Sequence, residues 1–220
     1  MNADVDASAG SGSAGGAGAI KVVLFDVMDT LVVDPFFNGI EEFFGCPRRE
    51  LLGALTPDIW PRFERAEIDA ATFYATMFHD GRAVDGVGLE AWLFARYRLI
   101  DGVQPLLDAL SAARVPMAAL SNYPSWYDLV ERACGLDRWL DGAHVSFRTG
   151  VRKPEPDAYL GACARLGVAA HEALFVDDRE LNCAAARAVG VAAHRFDGAE
   201  GLRDALASAG LPVPSVTIDP

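Results

Sequence analysis

One run of residues constrains this chain more than any other: Lys21-Val22-Val23-Leu24-Phe25-Asp26, an apolar stretch that ends on a carboxylate and passes straight into Val27-Met28-Asp29-Thr30-Leu31. A strand that is apolar at every position, rather than at every second one, has to be buried on both faces. That is the condition of an inner strand in a parallel sheet covered by helices. Sheets of this kind bind ligands beyond the carboxyl ends of their strands, so Asp26 stands where chemistry is expected. Three later segments supply partners for it. Met117-Ala118-Ala119-Leu120 runs into Ser121-Asn122, Ala173-Leu174-Phe175-Val176 runs into Asp177-Asp178, and Lys153-Pro154 lies in a loop ahead of a helical pattern.

From about Leu106 onward helices and strands alternate: helix 106–113, strand 116–121, helix 126–134, strand 143–147, helix 156–166, strand 173–177, helix 180–189 and strand 191–196. Short strands separated by helices predict an α/β fold, a Rossmann-like parallel sheet with helices on both faces. Between Asp34 and Ile100 the pattern changes to helices alone, at 36–44, 48–55, 59–66, 70–78 and 89–99. A helical block placed just after the first strand of a βα series is expected to be an inserted cap. The division is therefore a core of 20–34 and 101–220, a cap of 35–100 with hinges at Pro35 and around Gly102, and a tail of 1–19.

Composition narrows the function classes. A 220-residue chain, 51% of it hydrophobic, can bury a full core. Its formal charge of -12 disfavours the counterion release that rewards binding to nucleic acid or an anionic membrane surface. Cys46, Cys134, Cys163 and Cys183 are widely spaced without a CxxC pair, which reads as free thiols in a reducing compartment. The first nineteen residues are mostly Gly, Ala, Ser and Asp, with no basic residue or apolar run, and read as a disordered tail rather than a targeting segment. Together these features predict a cytoplasmic protein without a nucleic-acid or membrane partner, and leave monomer or homodimer open.

The four segments carry a consistent chemistry. A carboxylate held in line attacks phosphorus or carbon and forms a covalent intermediate, and Asp26 is the candidate nucleophile. Capping of the following turn is its plainer alternative. Lys153 supplies fixed positive charge beside a developing anion. Adjacent carboxylates such as Asp177 and Asp178 repel unless a cation compensates them, and a metal ion or the neighbouring Arg179 would do so.

In order and spacing, these segments resemble the four motifs of the haloacid dehalogenase-like (HAD) superfamily of hydrolases, over about Ile20 to Phe196. The resemblance implies a Mg²⁺ enzyme that hydrolyses small phosphate monoesters through a phospho-aspartate on Asp26. It implies metal ligation by Asp26, the Met28 carbonyl and Asp178, with Asp177 assisting. It also implies that Ser121 and the Asn122 amide hold a phosphoryl oxygen and that Thr30 orients the first loop at the substrate. A helical cap in this position would close over the site. The motifs around Asp26 and Asp177, with Trp60-Pro61-Arg62-Phe63-Glu64, look similar to a branch that includes plant flavin mononucleotide phosphatases. The cap aromatics Phe36, Phe37, Trp60, Phe63, Tyr74, Trp92, Phe94 and Tyr97 would either stack on a planar substrate or form core.

The chain departs from the family pattern at Met28, where phosphatases of the superfamily carry a second aspartate as general acid and base. Asp29 is the nearest substitute. In an extended chain it points away from Asp26, and in a helical one it shares a face with it. Two alternatives follow from Met28: a 2-haloacid dehalogenase, for which Ser121, Asn122, Lys153 and Tyr159 are suitable but the Asp177-Asp178 pair is not, and a binding protein without turnover.

Overall fold

The computed structural model describes residues 19–214; the tail expectation for the first eighteen residues lies outside them. Five parallel strands, β1 (Val22–Phe25), β2 (Met117–Ser121), β3 (Gly142–Val145), β4 (Ala173–Asp177) and β5 (Ala192–Arg195), lie in the order β3-β2-β1-β4-β5. Every residue of β1, β2 and β4 is buried, as their unbroken apolarity demands. Alternation shows instead in which layer each side chain joins. Val23, Phe25, Met117, Ala119, Leu174 and Val176 enter one apolar cluster, while Val22, Leu24, Ala118, Leu120, Ala173 and Phe175 enter the other.

The strand order reverses direction between β1 and β4, which opens a crevice at their carboxyl ends. Asp26 follows β1, Ser121 ends β2 and Asp177 ends β4, so three of the sequence motifs converge there. The core helices α6 (Val103–Ala112), α7 (Tyr127–Cys134), α8 (Ser146–Thr149), α9 (Pro156–Leu166), α10 (Glu180–Ala188) and α11 (Ala199–Ser208) complete this α/β unit. The expected strand 143–147 starts one residue earlier and stops at Val145, because α8 begins at once to carry the chain toward Lys153.

The segment between β1 and α6 is helical, as expected: α1 (Ile40–Phe44), α2 (Arg48–Ala54), α3 (Ile59–Glu64), α4 (Ala70–Thr76) and α5 (Gly86–Phe94). Three of these helices end one or two residues short of the apolar pattern, and the first and last differ from it by more. The pattern put the last one at 89–99, but Asp85 caps it through a 2.9 Å bond from Gly88 N, starting it at Gly86. It stops at Phe94 because the chain beyond is needed elsewhere. Val33 N donates to Arg98 O and Ile100 N to Leu31 O, so the two strands of chain that join cap to core pair with each other. The helix expected from Phe36 starts only at Ile40, because Asp34 first turns the chain, its Oδ1 accepting from Phe36 N at 2.8 Å.

The cap is packed on the sheet rather than held off it. Phe36, Ile40, Phe63 and Phe73 belong to the same apolar cluster as Val23 and Phe25. Trp126, at the start of α7 and almost fully buried, is the joint. Its indole meets Phe63 at 5.3 Å edge-on and stacks on Tyr74 at 6.3 Å, and its Nε1 donates to the Tyr74 hydroxyl at 2.8 Å. Aromatic pairs add about 0.5–1.5 kcal/mol each to the burial itself, so this cluster is a principal bond between the two parts. Ion pairs edge the joint: Arg65 bonds to Glu155 and to Gly150 O, and Arg152 to Glu64. No helix among the described residues is long and apolar enough to cross a membrane.

Candidate active site

Asp26 is buried at the carboxyl end of β1, and one of its oxygens is fully engaged. Oδ1 accepts from Val27 N at 2.7 Å, Ser121 Oγ at 2.8 Å and Lys153 Nζ at 3.0 Å. Oδ2 has no hydrogen-bond donor among the described residues and belongs to the cavity side. Burial pushes the Asp26 pKa up to about 7, with Asp177 adding to the shift and Lys153 and Ser121 opposing it. An acceptor so fixed leaves the other oxygen aimed, which is what nucleophilic attack requires.

Lys153 bridges two carboxylates, with Nζ 2.6 Å from Asp177 Oδ2 as well as 3.0 Å from Asp26. Burial alone would depress its pKa, but the two aspartates outweigh it and the net shift is upward, so the ammonium stays charged. Its main chain is clamped by Asn122, whose Nδ2 donates to Lys153 O and whose Oδ1 accepts from Lys153 N, both at 2.8 Å. Asp177 is fully occupied: Lys153, Arg179 N at 2.8 Å and Asn182 Nδ2 at 3.0 Å satisfy its oxygens. Asp178 is different. Its carboxylate receives no hydrogen bond among the described residues, while its N–H donates to Thr30 Oγ1 at 3.1 Å.

A cavity of about 190 Å³ opens over these groups, roofed by the cap. Of the residues singled out from sequence, Asp26, Met28, Asp29, Asn122, Lys153 and Asp178 line it. Ser121, Asp177 and Thr30 sit behind the lining and act through hydrogen bonds; Thr30 is fully buried and ties the first loop to the last. Asp29 faces the cavity by neither route weighed above. The chain at Val27 makes a tight turn, with Leu31 N and Val32 N both donating to Val27 O, and Asp29 takes a left-handed φ of 56°. Its Oδ1 accepts from Asp34 N and Asn38 Nδ2, each at 3.1 Å, so it braces the entry to the cap.

Among the eight cap aromatics, only Phe37 and Trp60 reach the cavity; Phe36, Phe63 and Tyr97 are buried core. The cavity also contains residues that sequence reasoning did not assign to a site: Asp34, Glu64, Tyr123, Arg152, Arg179 and Asn182. Asn182 lies one turn into α10, and no motif marks it. The Asp34-Pro35 pair did carry a signal, an acid at a hinge beside the nucleophile loop, but only the proline drew notice.

The donor set suits a hard divalent cation. Asp26, Asp177 and Asp178 each offer an oxygen within 4.8 Å of the others, with a single ammonium, Lys153, among them. The Asp178 carboxylate and the Met28 carbonyl accept no hydrogen bond among the described residues, leaving oxygen donors open on two sides of Asp26. Oxygen ligands of this kind, with room for water, are what Mg²⁺ takes.

Comparison with known proteins agrees with this geometry. Flavin mononucleotide hydrolase 1, a chloroplast protein of Arabidopsis thaliana, is 37% identical over 194 residues, covering 88% of this chain and 79% of that protein. A HAD family enzyme of Bacteroides thetaiotaomicron, solved with magnesium and inorganic phosphate, superposes with a TM-score of 0.70 at 20% identity, over 81% of this chain and 95% of that one. The L-2-haloacid dehalogenase of Xanthobacter autotrophicus shares the fold too, with a TM-score of 0.61 at 24% identity, over 86% and 83% of the two chains. Residues 20–190 match the haloacid dehalogenase-like hydrolase family, and with the strand order and the placement of Asp26, Ser121, Lys153 and Asp177 this shows that the chain belongs to it.

Proposed function

We propose that this protein is a Mg²⁺-dependent phosphate monoesterase that works through a phospho-aspartate on Asp26. The observation that carries the reading is the Asp26 carboxylate itself, buried, pinned at Oδ1 by three donors and free at Oδ2 toward the cavity. Asp26 and Asp178, with the Met28 carbonyl, would hold the Mg²⁺, which supplies charge neutralisation for an incoming phosphoryl dianion. Asp177 serves from behind by fixing Lys153 and accepting from Asn182. Asp26 attacks phosphorus in line, and the ester oxygen leaves toward the cap. Lys153 holds its positive charge where negative charge collects, and Ser121 keeps the nucleophile oriented. Water then attacks the acyl phosphate and frees Asp26.

Flavin mononucleotide is the first substrate to try, because it is in the name of the 37% identical relative and because Phe37 and Trp60 offer aromatic faces in the cavity. The space of about 190 Å³ is smaller than the roughly 300–1,000 Å³ of sites that enclose drug-sized ligands. It suits a phosphoryl group and a small leaving group, and a flavin ring requires the cap to part at the Arg65–Glu155 and Arg152–Glu64 contacts.

Met28 favours a second reading, carbon–halogen hydrolysis through an ester on Asp26, which needs no acid for the departing halide. The Asp177-Asp178 pair opposes it by repelling a carboxylate substrate. Phosphate release from sugar phosphates, nucleotides and flavin mononucleotide, with Mg²⁺ or EDTA and beside Asp26→Asn, separates the two. Metal-dependent turnover lost in Asp26→Asn supports the phosphatase; halide release that survives EDTA supports the dehalogenase.

A further inference from the structure

The phosphatase reading leaves one chemical requirement open. An alkoxide leaving group needs a proton, and Met28 stands where the family keeps its proton donor. Several carboxyl groups line the cavity or back it, and their partners eliminate most of them. Asp26, Asp177 and Asp178 are the nucleophile, the lysine's partner and the open oxygen donor. Glu64 is held by the Arg152 guanidinium on Oε2 and by Trp60 Nε1, 2.8 Å from Oε1. Asp29 is tied to the cap entry, its Oδ1 accepting from Asp34 N and Asn38 Nδ2. Asp34 remains. It is 3% exposed and lines the cavity. Its carboxyl accepts from backbone N–H only, Phe36 N bonding to Oδ1 at 2.8 Å; no side chain among the described residues bonds to it, and no cation lies within 4.0 Å of it there.

We propose that Asp34 is the proton donor and acceptor of this enzyme, taking from the cap hinge the role that Met28 cannot fill in the nucleophile loop. In the first step Asp26 Oδ2 bonds to phosphorus and the phosphorus–ester oxygen bond breaks. Its electron pair goes to the leaving oxygen, which takes the proton of the Asp34 carboxyl and departs as the alcohol, leaving Asp34 as carboxylate. In the second step water bonds to phosphorus and gives its proton to Asp34. The bond to Asp26 then breaks, which restores both carboxyl groups to their starting states and releases phosphate.

The environment of Asp34 suits this work. Burial raises its pKa to about 7, and Asp29 adds to the shift against the Phe36 and Phe37 backbone hydrogen bonds and the Arg179 charge. The other titratable groups that feel it are the phenols Tyr97 and Tyr123, whose hydroxyls bond to each other at 2.9 Å and whose own pKa values lie far above neutrality. A carboxyl that titrates near working pH both gives and takes protons efficiently. Its place at the hinge also couples proton supply to the cap's position, since the same residue starts the turn into α1.

The inference rests on the phosphatase reading, and Asp34→Asn tests the two separately. Asn keeps an oxygen for Phe36 N, so the turn is preserved. The esters are flavin mononucleotide, whose leaving oxygen is a primary alcohol, and p-nitrophenyl phosphate, whose leaving group needs no proton. In Asp34→Asn, kcat on the alkyl ester is expected to fall by about 10²–10⁴. With p-nitrophenyl phosphate the first turnover is expected as a burst at the wild-type rate, followed by slow turnover for want of the base. That burst also shows the variant to be folded. In the wild type, kcat on the alkyl ester falls as pH rises through Asp34's titration, and the variant lacks that limb. Equal losses on both esters with no burst, or an unchanged kcat, overturn the role of Asp34. A wild type silent on both esters overturns the phosphatase reading and this inference with it.

Discussion

Lys153→Met removes the one cation among three carboxylates and keeps most of the side chain's volume. The Lys153 side chain is 1% exposed, with contacts of 3.0 Å to Asp26 and 2.6 Å to Asp177. At an effective dielectric of about 20, each contact is worth roughly 5–6 kcal/mol gross, and the cost of drying the ammonium returns much of it. Removing one member of a buried ion pair costs about 3–5 kcal/mol net, because the partner is left charged and dry. With total stabilities of about 5–15 kcal/mol, the variant should be folded but marginal. Urea unfolding in EDTA is the assay, read as a drop in midpoint with an unchanged slope. Two dependences identify the cause. Mg²⁺ should restore more stability to the variant than to the wild type, because it replaces the missing charge. Acid should also help: burial already holds the folded Asp26 pKa above its unfolded value and Lys153 opposes that rise, so with Lys153 gone the deficit shrinks as pH falls through the Asp26 titration and grows as pH rises. An unfolding free energy in EDTA within about 0.5 kcal/mol of wild type would refute this account of the site's electrostatics.

Ser121→Ala deletes one of the three bonds to Asp26 Oδ1, at 2.8 Å, and a hydrogen bond to a charged group is worth about 1.5–3 kcal/mol; kcat/KM should fall about 10-fold to 100-fold with KM little changed, as steady-state kinetics will show. Gly102→Ala should destabilise by about 1–2 kcal/mol or more in chemical unfolding, because Gly102 has a φ of 80° and an added Cβ would meet Ala199 Cβ at 2.8 Å; an unchanged midpoint would contradict the rigid return of the cap linker into α6.

The sheet was legible because its inner strands are apolar throughout. Burial on both faces leaves a signature that composition alone carries, as at Val22–Phe25 and Ala173–Asp177. The cap was legible as a block of helices without strands. Its element ends were not, because side chains outside the apolar pattern set them. Asp85 starts α5 by capping, and the pairing of Leu31–Val33 with Arg98–Ile100 ends it. The same division holds in the site. Asp26, Ser121 and Asp177 sit at strand ends and so announce themselves, whereas Asn122's clamp on Lys153 and Asn182's bonds to Asp177 join residues with no shared local pattern. Asp29 could not be placed because both regular conformations considered for it were wrong; the turn needs a left-handed residue, and an aspartate that bonds its own loop tolerates that better than most.

Acid quenching during turnover of a radiolabelled phosphate ester, followed by peptide mapping, looks for the phospho-Asp26 intermediate itself. A label is expected on the peptide containing Asp26, formed with Mg²⁺, absent with EDTA and absent in Asp26→Asn. Turnover with no labelled protein at any time point, or turnover that persists in Asp26→Asn, would contradict it.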